Sequence, residues 1–406
     1  MSKKLFFRAL VLIAVFLGSV TFGQAQSIAK ISVTETAGFS RDREYVEISL
    51  QIPLSAAPED ALSLSAVDGS GVETSVQILR TERISGQNVL ALWLVFPVAV
   101  NGMETKHYEL KFSTANAAAT DLQFAGEGTE LVVENQFYRA DMTRSDNSSE
   151  QKELSGQIRE ITMKRNGQEL LMTNIENRVH WAPNFKRPEV EWYTTIAHWQ
   201  NPRTQIDRGN YVIRTIRQDP APKHPEIFLT AVYKYYANVP YFRFYSEMDF
   251  TEDLGVELLR NDEMTTDSMF THLAFEDTDG KITVEPLYPK TGKKFKGPID
   301  NEAPWLCFYH ETEGFALGSI RLMYDNTNDI GEPSPTWQPH TQIGEWEGKR
   351  YWNRRLVHDR WTFIPKGSRY AEENAYLLFE IGENDPFETI RYWAERLRHP
   401  VTVKVE

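Results

Sequence analysis

Apolar and polar residues alternate along much of the chain, and this period of two predicts β-strands. The stretch "YVEISLQI" places Val46, Ile48, Leu50 and Ile52 at alternate positions, so one side of the strand is apolar. The stretches "NVLALWLVFPV" and "HYELKFS" follow, and the turn sequences "DGSG" and "NGMET" separate these segments. Residues 26–115 are therefore predicted to form a small N-terminal β-sandwich.

A longer series of strand-like stretches fills the second part of the chain. Ten or more such stretches occur without helical periodicity between them, from "ELVVENQFYRADM" to "AYLLFEIG". Asn166-Gly167 and Asp279-Gly280 are typical hairpin turns. Many strands without crossover helices favour two antiparallel sheets packed face to face. Residues 128–382 are therefore predicted to form a large antiparallel super-β-sandwich that contains the active cleft.

One helix is predicted near the end of the chain, in "NDPFETIRYWAERLRHP". Asp385 is placed to cap it, Pro386 stands in its first turn, and apolar residues recur on one face. Residues 383–406 are expected to pack back on the large sandwich. The predicted fold is thus all-β, with a small sandwich, a large antiparallel super-β-sandwich and a short C-terminal helix.

The first residues have the layout of a secretory signal peptide. Lys3, Lys4 and Arg8 precede a short apolar run, and the small-residue pattern Gly-Gln-Ala ends at Ala25. The run is too short to span a bilayer comfortably. Residues 1–25 are expected to be cleaved, giving a secreted or periplasmic protein without a membrane span.

The composition excludes some partners and cofactors. The formal net charge is −13, and removal of the signal leaves 41 Lys and Arg against 57 Asp and Glu, so the surface repels nucleic acid. The single cysteine, Cys307, cannot form an intramolecular disulfide. No dinucleotide fingerprint, P-loop, nucleophile elbow or metal-ligand spacing occurs, so we expect neither a cofactor nor a metal.

Two windows reverse the acidic balance and carry many aromatic residues. Between Arg178 and Arg217 there are seven basic residues, three acids, six aromatics and two histidines. Between Glu345 and Tyr370 there are again seven basic residues, three acids and six aromatics, with His358 among them. Aromatic faces stack on sugar rings, and Arg binds carboxylate or sulfate in a bidentate manner. The windows therefore indicate the two walls of a cleft for an acidic saccharide.

The same residues also have an ordinary structural interpretation. Strands of large sandwiches are rich in Trp and Tyr, and Arg at alternate exposed positions is common on solvated surfaces. His272 in "MFTHLAF" fits a core histidine as well as it fits a residue that lines a cleft.

Two stretches resemble carbohydrate-active families. "VTETAGFSRDREYVEISLQIP" resembles the opening sandwich of bacterial exo-rhamnogalacturonan lyase-like proteins. "VENQFYRADMTRSDNSSEQKELSGQIREITMKRNGQELL" is similar to the start of the super-β-sandwich in polysaccharide lyases and related enzymes. The order of domains is also similar to that of oligosaccharide-processing proteins of marine Bacteroidetes, including an ulvan uronate dehydratase. The resemblance implies β-elimination on uronic-acid-containing, ulvan-type oligosaccharides, although the lyase-like proteins are longer and no catalytic motif matches residue by residue.

Elimination from a uronate needs one group that neutralises the carboxylate, one that removes the C5 proton and one that protonates the leaving oxygen. We assign these roles to Arg214, His198 and Tyr211, with His272 as a second proton-transfer candidate. Tyr211 and Arg214 would point to opposite faces of a regular strand, which weakens this assignment. The predicted substrate-binding residues are His180, Trp181, Trp199, Arg208, Arg260, Trp305, His358, Arg360 and Trp361.

Two other functions remain open at this level. A glycoside hydrolase acting on acidic saccharides would use two carboxylates, for which Glu247, Asp249, Glu257 and Asp262 are candidates. A non-catalytic sugar-binding protein would use the aromatic and basic residues without moving a proton.

Overall fold

The chain forms two compact units in the computed structural model, which describes residues 27–56, 62–113, 119–143, 154–173, 179–190 and 192–406. The predicted signal peptide and part of the polar stretch "STANAAATD" lie outside the described residues. The first unit comprises the chain up to Thr120 with residues 207–212 and 399–406. The second comprises Asp121–Ile206 and Ile213–Arg398.

The first unit is built from antiparallel strands around an apolar core. Its strands from the beginning of the chain are β1 Ser27–Thr34, β2 Arg41–Pro53, β3 Leu64–Asp68, β4 Glu73–Arg83, β5 Val89–Val100 and β6 Thr105–Phe112, with a short 3-10 helix at Leu54–Ala56. Val46, Ile48, Leu50 and Ile52 of β2 all lie in the core, which confirms the predicted period of two. The apolar side of each strand is buried against its neighbours, and this burial stabilises the unit.

The second unit contains the remaining sheets. Its strands are β7 Gln123–Glu127, β8 Glu130–Glu134, β9 Tyr138–Asp141, β10 Glu160–Arg165, β11 Gln168–Thr173, β12 Asn184–Lys186, β13 Thr194–Thr195, β14 Arg203–Asp207, β15 Val212–Ala221, β16 His224–Tyr236, β17 Tyr241–Phe250, β18 Leu254–Val256, β19 Leu258–Thr266, β20 His272–Glu276, β21 Ile282–Pro286, β22 Ile299–Asp300, β23 Trp305–His310, β24 Phe315–Asp325, β25 His340–Trp346, β26 Lys349–Val357, β27 Thr362–Ile364 and β28 Arg369–Glu380. A second 3-10 helix spans Ile196–His198.

Two large sheets pack face to face in this unit. The nine-stranded sheet has the order β14-β15-β16-β17-β28-β24-β23-β20-β21, and the six-stranded sheet has the order β13-β12-β19-β26-β25-β22. Trp352 of β26 meets Phe308 of β23 with ring centroids 5.0 Å apart. Tyr376 of β28 donates a hydrogen bond to Asp262 of β19, at 3.1 Å. The all-β fold predicted from the sequence is confirmed, with several antiparallel sheets.

The end of the chain supplies the one α-helix of the described residues and then a last strand. The helix α1 spans Glu388–Arg398 and packs on β24, where Ile390 lies against the backbone of Gly318. A Cβ at Gly318 would lie 2.6 Å from Cδ1 of Ile390, so a larger residue would require the Ile390 side chain to move. The strand β29, Thr402–Val405, pairs with β1 of the first unit. In the described part of the chain, no helix is long and apolar enough to cross a membrane.

Candidate functional site

Buried polar side chains cover the side of the six-stranded sheet that faces away from the nine-stranded sheet. β19 pairs with β26 so that Arg260 lies opposite Arg355, and β25 places His340 opposite Arg355. β12 places Asn184 opposite Arg260. Side chains at paired positions project to the same side of a sheet. We call the following set the polar face: Asn184, Tyr193, Arg260, Glu263, His340, Tyr351, Asn353, Arg355 and His358.

A β-bulge in β19 brings Glu263 to this face. The register with β26 shifts between Asn261 and Met264, so two residues of β19 lie opposite one residue of β26. Asp262 in the bulge has φ +43°, a left-handed conformation that Asp tolerates better than most residues. The bulge turns Asp262 into the interior and Glu263 toward Arg260, since a bulge re-aims side chains next to it.

Arg260 and Glu263 form the centre of the polar face. Arg260 Nη1 lies 3.5 Å from Glu263 Oε2, and Asn184 donates a hydrogen bond to the same carboxylate oxygen. Nε and Nη1 of Arg260 have no hydrogen-bond partner among the described residues, although the side chain is buried. The guanidinium also lies over the Tyr193 ring, 5.2 Å from its centroid. A buried guanidinium with unpaired N–H groups is suited to an anionic ligand.

Arg355 and His358 extend the polar face along β26. Arg355 donates through Nε to Asn353 Oδ1 at 3.0 Å and through Nη1 to His358 Nδ1. Its Nη1 also lies 3.2 Å from the carboxylate of the exposed Asp359. The rings of His358 and His340 meet edge to face, with centroids 4.8 Å apart. An imidazole therefore lies beside two guanidinium groups on one face.

The pKa values of these groups reflect burial and crowding of like charge. Burial raises the pKa of Glu263, while Arg260 opposes this shift. Burial and the neighbouring Arg260 lower the pKa of Arg355. Burial raises the pKa of Tyr351, as does the Glu263 carboxylate, so the phenol is protonated at neutral pH. Burial and Arg355 lower the pKa of His358 below its usual 6.5, so its imidazole is neutral at pH 7.

The His358 imidazole should titrate below pH 6.5 when its ring carbon signals are followed by NMR from pH 4 to 9. The Asp359→Asn variant should lower the pKa of His358 further, because the Asp359 carboxylate favours the imidazolium. Arg355→Met should raise it, because this change removes the adjacent positive charge. An unchanged pKa in both variants would contradict the electrostatic description of this face.

The structure brings several of the sequence-predicted residues to the polar face or near it. Arg260 and His358 belong to it. Trp181 donates its backbone N–H to the Glu263 carbonyl, and its ring meets that of His198 at 6.1 Å. Arg360 stacks over Trp337 at 3.7 Å and bonds through its backbone N–H to Glu257. Residues of both basic windows therefore contact β19 or Glu257, the residue immediately before it.

Other predicted residues lie elsewhere in the second unit. His180 is fully buried between Tyr233 and Tyr376, and burial holds its pKa well below the usual value. Trp199 is buried and donates to the Pro220 carbonyl at 2.8 Å. Both side chains lie within the packed core of the unit.

The remaining predictions in this unit are distributed over several strands. Arg214 is buried on β15. His272 begins β20, where it stacks on Tyr309 and accepts or donates a hydrogen bond with Thr271. Trp305 packs under α1 against Phe387 and donates to Glu276. Trp361 is 59% exposed.

Two predicted residues belong to the first unit. The Tyr211 hydroxyl shares a hydrogen bond with Ser75 at 2.6 Å, and its ring lies 6.1 Å from that of Tyr45. Arg208 is exposed in the same short segment, residues 207–212. The roles assigned to His198, Tyr211, Arg214 and His272 stay predictions, since none of the contacts described here joins them into one cluster.

Sequence reasoning missed the other members of the polar face, which are Asn184, Tyr193, Glu263, His340, Tyr351, Asn353 and Arg355. A signal for part of this set is present in the sequence. The strands "LLRNDEMTT" and "KRYWNRRLV" each place three or four consecutive polar residues inside an otherwise apolar segment. In the structure every residue of β19 is buried, so these polar side chains lie within a packed site.

Comparison with known proteins shows a shared fold. No family model matches the sequence, and no curated protein matches it either. Among solved structures, the chain is similar to a protein of glycosyl hydrolase family 38 from Enterococcus faecalis, with TM-score 0.51, 11% identity and 93% of this chain covered. An alpha-mannosidase from Enterococcus faecalis is similar with TM-score 0.53, also at 11% identity and 93% coverage. The chain spans 47% and 46% of these two proteins, about half of each. It therefore has a fold found in part of carbohydrate-active enzymes.

Proposed function

We propose that the protein is a secreted carbohydrate-active enzyme that acts by β-elimination on uronic-acid-containing oligosaccharides, with the polar face as its site. The observation that carries this proposal is the pair Arg260 and Arg355, two buried guanidinium groups at opposed positions of neighbouring strands. Nε of Arg260 has no hydrogen-bond partner in the described residues, and Nη1 has only the 3.5 Å ion pair with Glu263. A sugar carboxylate would supply further acceptors for these N–H groups, beside the existing ion pairs of Arg260 with Glu263 and of Arg355 with Asp359.

The groups around this pair fit the three tasks of an elimination. The two guanidinium groups would neutralise the uronate carboxylate and so acidify the C5 proton. The neutral imidazole of His358 would accept that proton at Nδ1, once Arg355, which donates to this atom in the free protein, turns to the uronate carboxylate. The protonated phenol of Tyr351 is suited to give a proton to the oxygen that leaves C4. The C5–H and C4–O bonds break, a C4–C5 double bond forms, and one proton is taken while another is given.

The fold and the sequence resemblance support a carbohydrate substrate. The fold is shared with part of two glycoside hydrolases. The stretches that resemble lyase-like proteins favour elimination from ulvan-type fragments as the finer assignment. Either water or a sugar can leave from C4, which would make the enzyme a dehydratase or a lyase respectively.

Mass spectrometry of uronate-containing oligosaccharides after incubation tests the proposal. Elimination of water should reduce the mass of an intact chain by one water, whereas a lyase should give two fragments, one with an unsaturated end. Fragments that have gained water would show hydrolysis instead. Binding without any change in mass would favour a non-catalytic sugar-binding protein.

The hydrolase alternative has one specific observation in its favour. Glu247 and the neighbouring Asp249 lie on one side of β17, and burial together with Glu247 raises the pKa of Asp249 to about 7. Glycosidases need two carboxyl groups about 5 Å or more apart. Glu247 is already bound by Arg369 at 2.6 Å, Glu257 pairs with Lys186, and Asp262 is buried in the interior. These placements favour the elimination proposal over the hydrolase.

Export is expected from the layout of residues 1–25. N-terminal sequencing of the protein from the periplasm or medium of the native cells should begin near Gln26, because the Gly-Gln-Ala pattern predicts cleavage at Ala25. A protein that still begins at Met1 would contradict the secreted localisation.

A further inference from the structure

A cavity of about 150 Å³ lies on the other side of β19 and β26 from the polar face. Asn261 and Arg354 line it, and these two residues are paired across the two strands. They directly neighbour Arg260 and Arg355 in sequence. Because successive side chains of a strand project to opposite sides, the polar face and the cavity lie back to back on the same pair of strands.

Three charged groups in the cavity wall, Arg354, Glu372 and Asp325, are already paired with opposite charges. Arg354 donates through Nη1 to Glu372 at 2.8 Å and through Nε to Asn301 at 2.9 Å. Its guanidinium also covers the Tyr324 ring, 3.5 Å from the centroid. Asp325 faces Arg369 at 3.6 Å. These pairings compensate the charges of the inner wall, so a charged ligand has no particular advantage there.

Two neutral donors in the wall are left without partners. The Tyr324 hydroxyl and Nδ2 of Asn261 are buried, and neither has a hydrogen-bond partner among the described residues. Asn261 is 1% exposed and accepts a hydrogen bond through Oδ1 from Ser246, so its amide orientation is fixed. A buried donor without a partner destabilises the protein, and a ligand with acceptor oxygens would satisfy it.

The volume of the cavity limits the number of atoms that a ligand can have. At about 10 to 15 Å³ for each water-sized position, the cavity of about 150 Å³ has room for roughly ten such positions. This number is comparable with the heavy atoms of one sugar unit and too small for a chain of several units. The segment around Thr336 and Pro339 lines the cavity from the side of the loop that precedes β25.

We propose that this cavity is a second ligand site, which takes one neutral, hydroxyl-rich molecule of monosaccharide size. Tyr324 and Asn261 donate to its oxygens, and the carboxylate of Glu302 in the wall accepts from its hydroxyl groups. This site is separate from the polar face and does not depend on the elimination chemistry proposed for it.

Titration calorimetry of the full-length mature protein with D-glucose, D-galactose, D-mannose and D-xylose tests this proposal. At least one of these sugars should bind with one-to-one stoichiometry. Tyr324→Phe removes only the hydroxyl and should weaken binding about threefold to tenfold, the value of one hydrogen bond. Thr336→Phe, on the covering segment, should fill the space and weaken binding at least about tenfold, with Asp329→Ala on the exposed loop nearby as its matched control.

Several outcomes would overturn the second site. It is wrong if none of the four sugars binds, or if Thr336→Phe binds the sugar as tightly as the natural protein does. It is also wrong if Arg260→Gln abolishes binding while Thr336→Phe does not, because the sugar would then occupy the polar face. These readouts are binding constants for neutral sugars. They would be the same if the polar face did not catalyse elimination.

Discussion

Arg260→Gln should lower kcat/KM for the uronate substrate by about a hundredfold to a thousandfold. Removal of one preorganised group that stabilises developing negative charge typically costs this much. The loss should appear in kcat as well as in KM, because the carboxylate gains electron density as the C5 proton leaves. Gln keeps a hydrogen-bond donor beside Glu263 and Asn184, so the buried carboxylate is not left without a partner.

Steady-state kinetics on the oligosaccharide identified by mass spectrometry measures this effect. Arg43→Gln is the matched control, since Arg43 is exposed on β2 of the first unit. The thermal midpoint of each variant separates a loss of activity from a loss of folded protein. If Arg260→Gln retains full kcat/KM on every oligosaccharide that the natural protein converts, the polar face is not the site of elimination.

Asp262→Ala should reduce the free energy of unfolding of the second unit by about 3 kcal/mol or more. Asp262 accepts hydrogen bonds from Trp352 Nε1 at 2.9 Å, from Ser319 Oγ at 2.9 Å and from the Tyr376 hydroxyl at 3.1 Å. Each buried donor that loses its acceptor costs about 1 to 3 kcal/mol. The left-handed backbone at this position adds to the cost, because Ala adopts a positive φ less readily than Asp.

Urea unfolding followed by tryptophan fluorescence measures the effect on stability. Asp329→Ala, which removes an exposed carboxylate from a loop of the same unit, should change the free energy of unfolding by less than about 0.5 kcal/mol. If Asp262→Ala and Asp329→Ala unfold at the same urea concentration, the three buried hydrogen bonds make no net contribution to the free energy of unfolding.

The strands could be predicted because the alternation of apolar and polar residues is a local pattern. The pairing of the strands could not be predicted from such a pattern. The period of two in β2 identifies a strand from eight residues. By contrast, β17 pairs with β28, so that Phe244 lies opposite Asn374, and the intervening sequence carries no local sign of this. Which strands meet depends on contacts between residues far apart in the chain, and these follow from packing of the whole sandwich.

The candidate site was predictable only in part, for a related reason. Of the residues of the polar face, His358 and Arg260 were predicted to bind the substrate; His358 lies in a basic window, whereas Arg260 lies in neither. Strict alternation would place Glu263 on the opposite side from Arg260. The bulge at Asp262 adds one residue to the strand, so Glu263 lies on the same side as Arg260. Asp262 is held in the bulge by hydrogen bonds from strands of two different sheets. Sequence periodicity contains no information about such an insertion.

The pairing of β1 with β29 has a consequence for biosynthesis. Val33 lies opposite Val403, and the N–H of Glu406 donates to the carbonyl of Lys30 at 2.8 Å. Because β1 precedes the second unit in the chain and β29 follows it, this edge of the first sheet stays unpaired while the second unit is translated. An unpaired edge strand is open to association with other chains. The nascent polypeptide therefore passes through a long interval in which β1 needs protection until its last partner emerges.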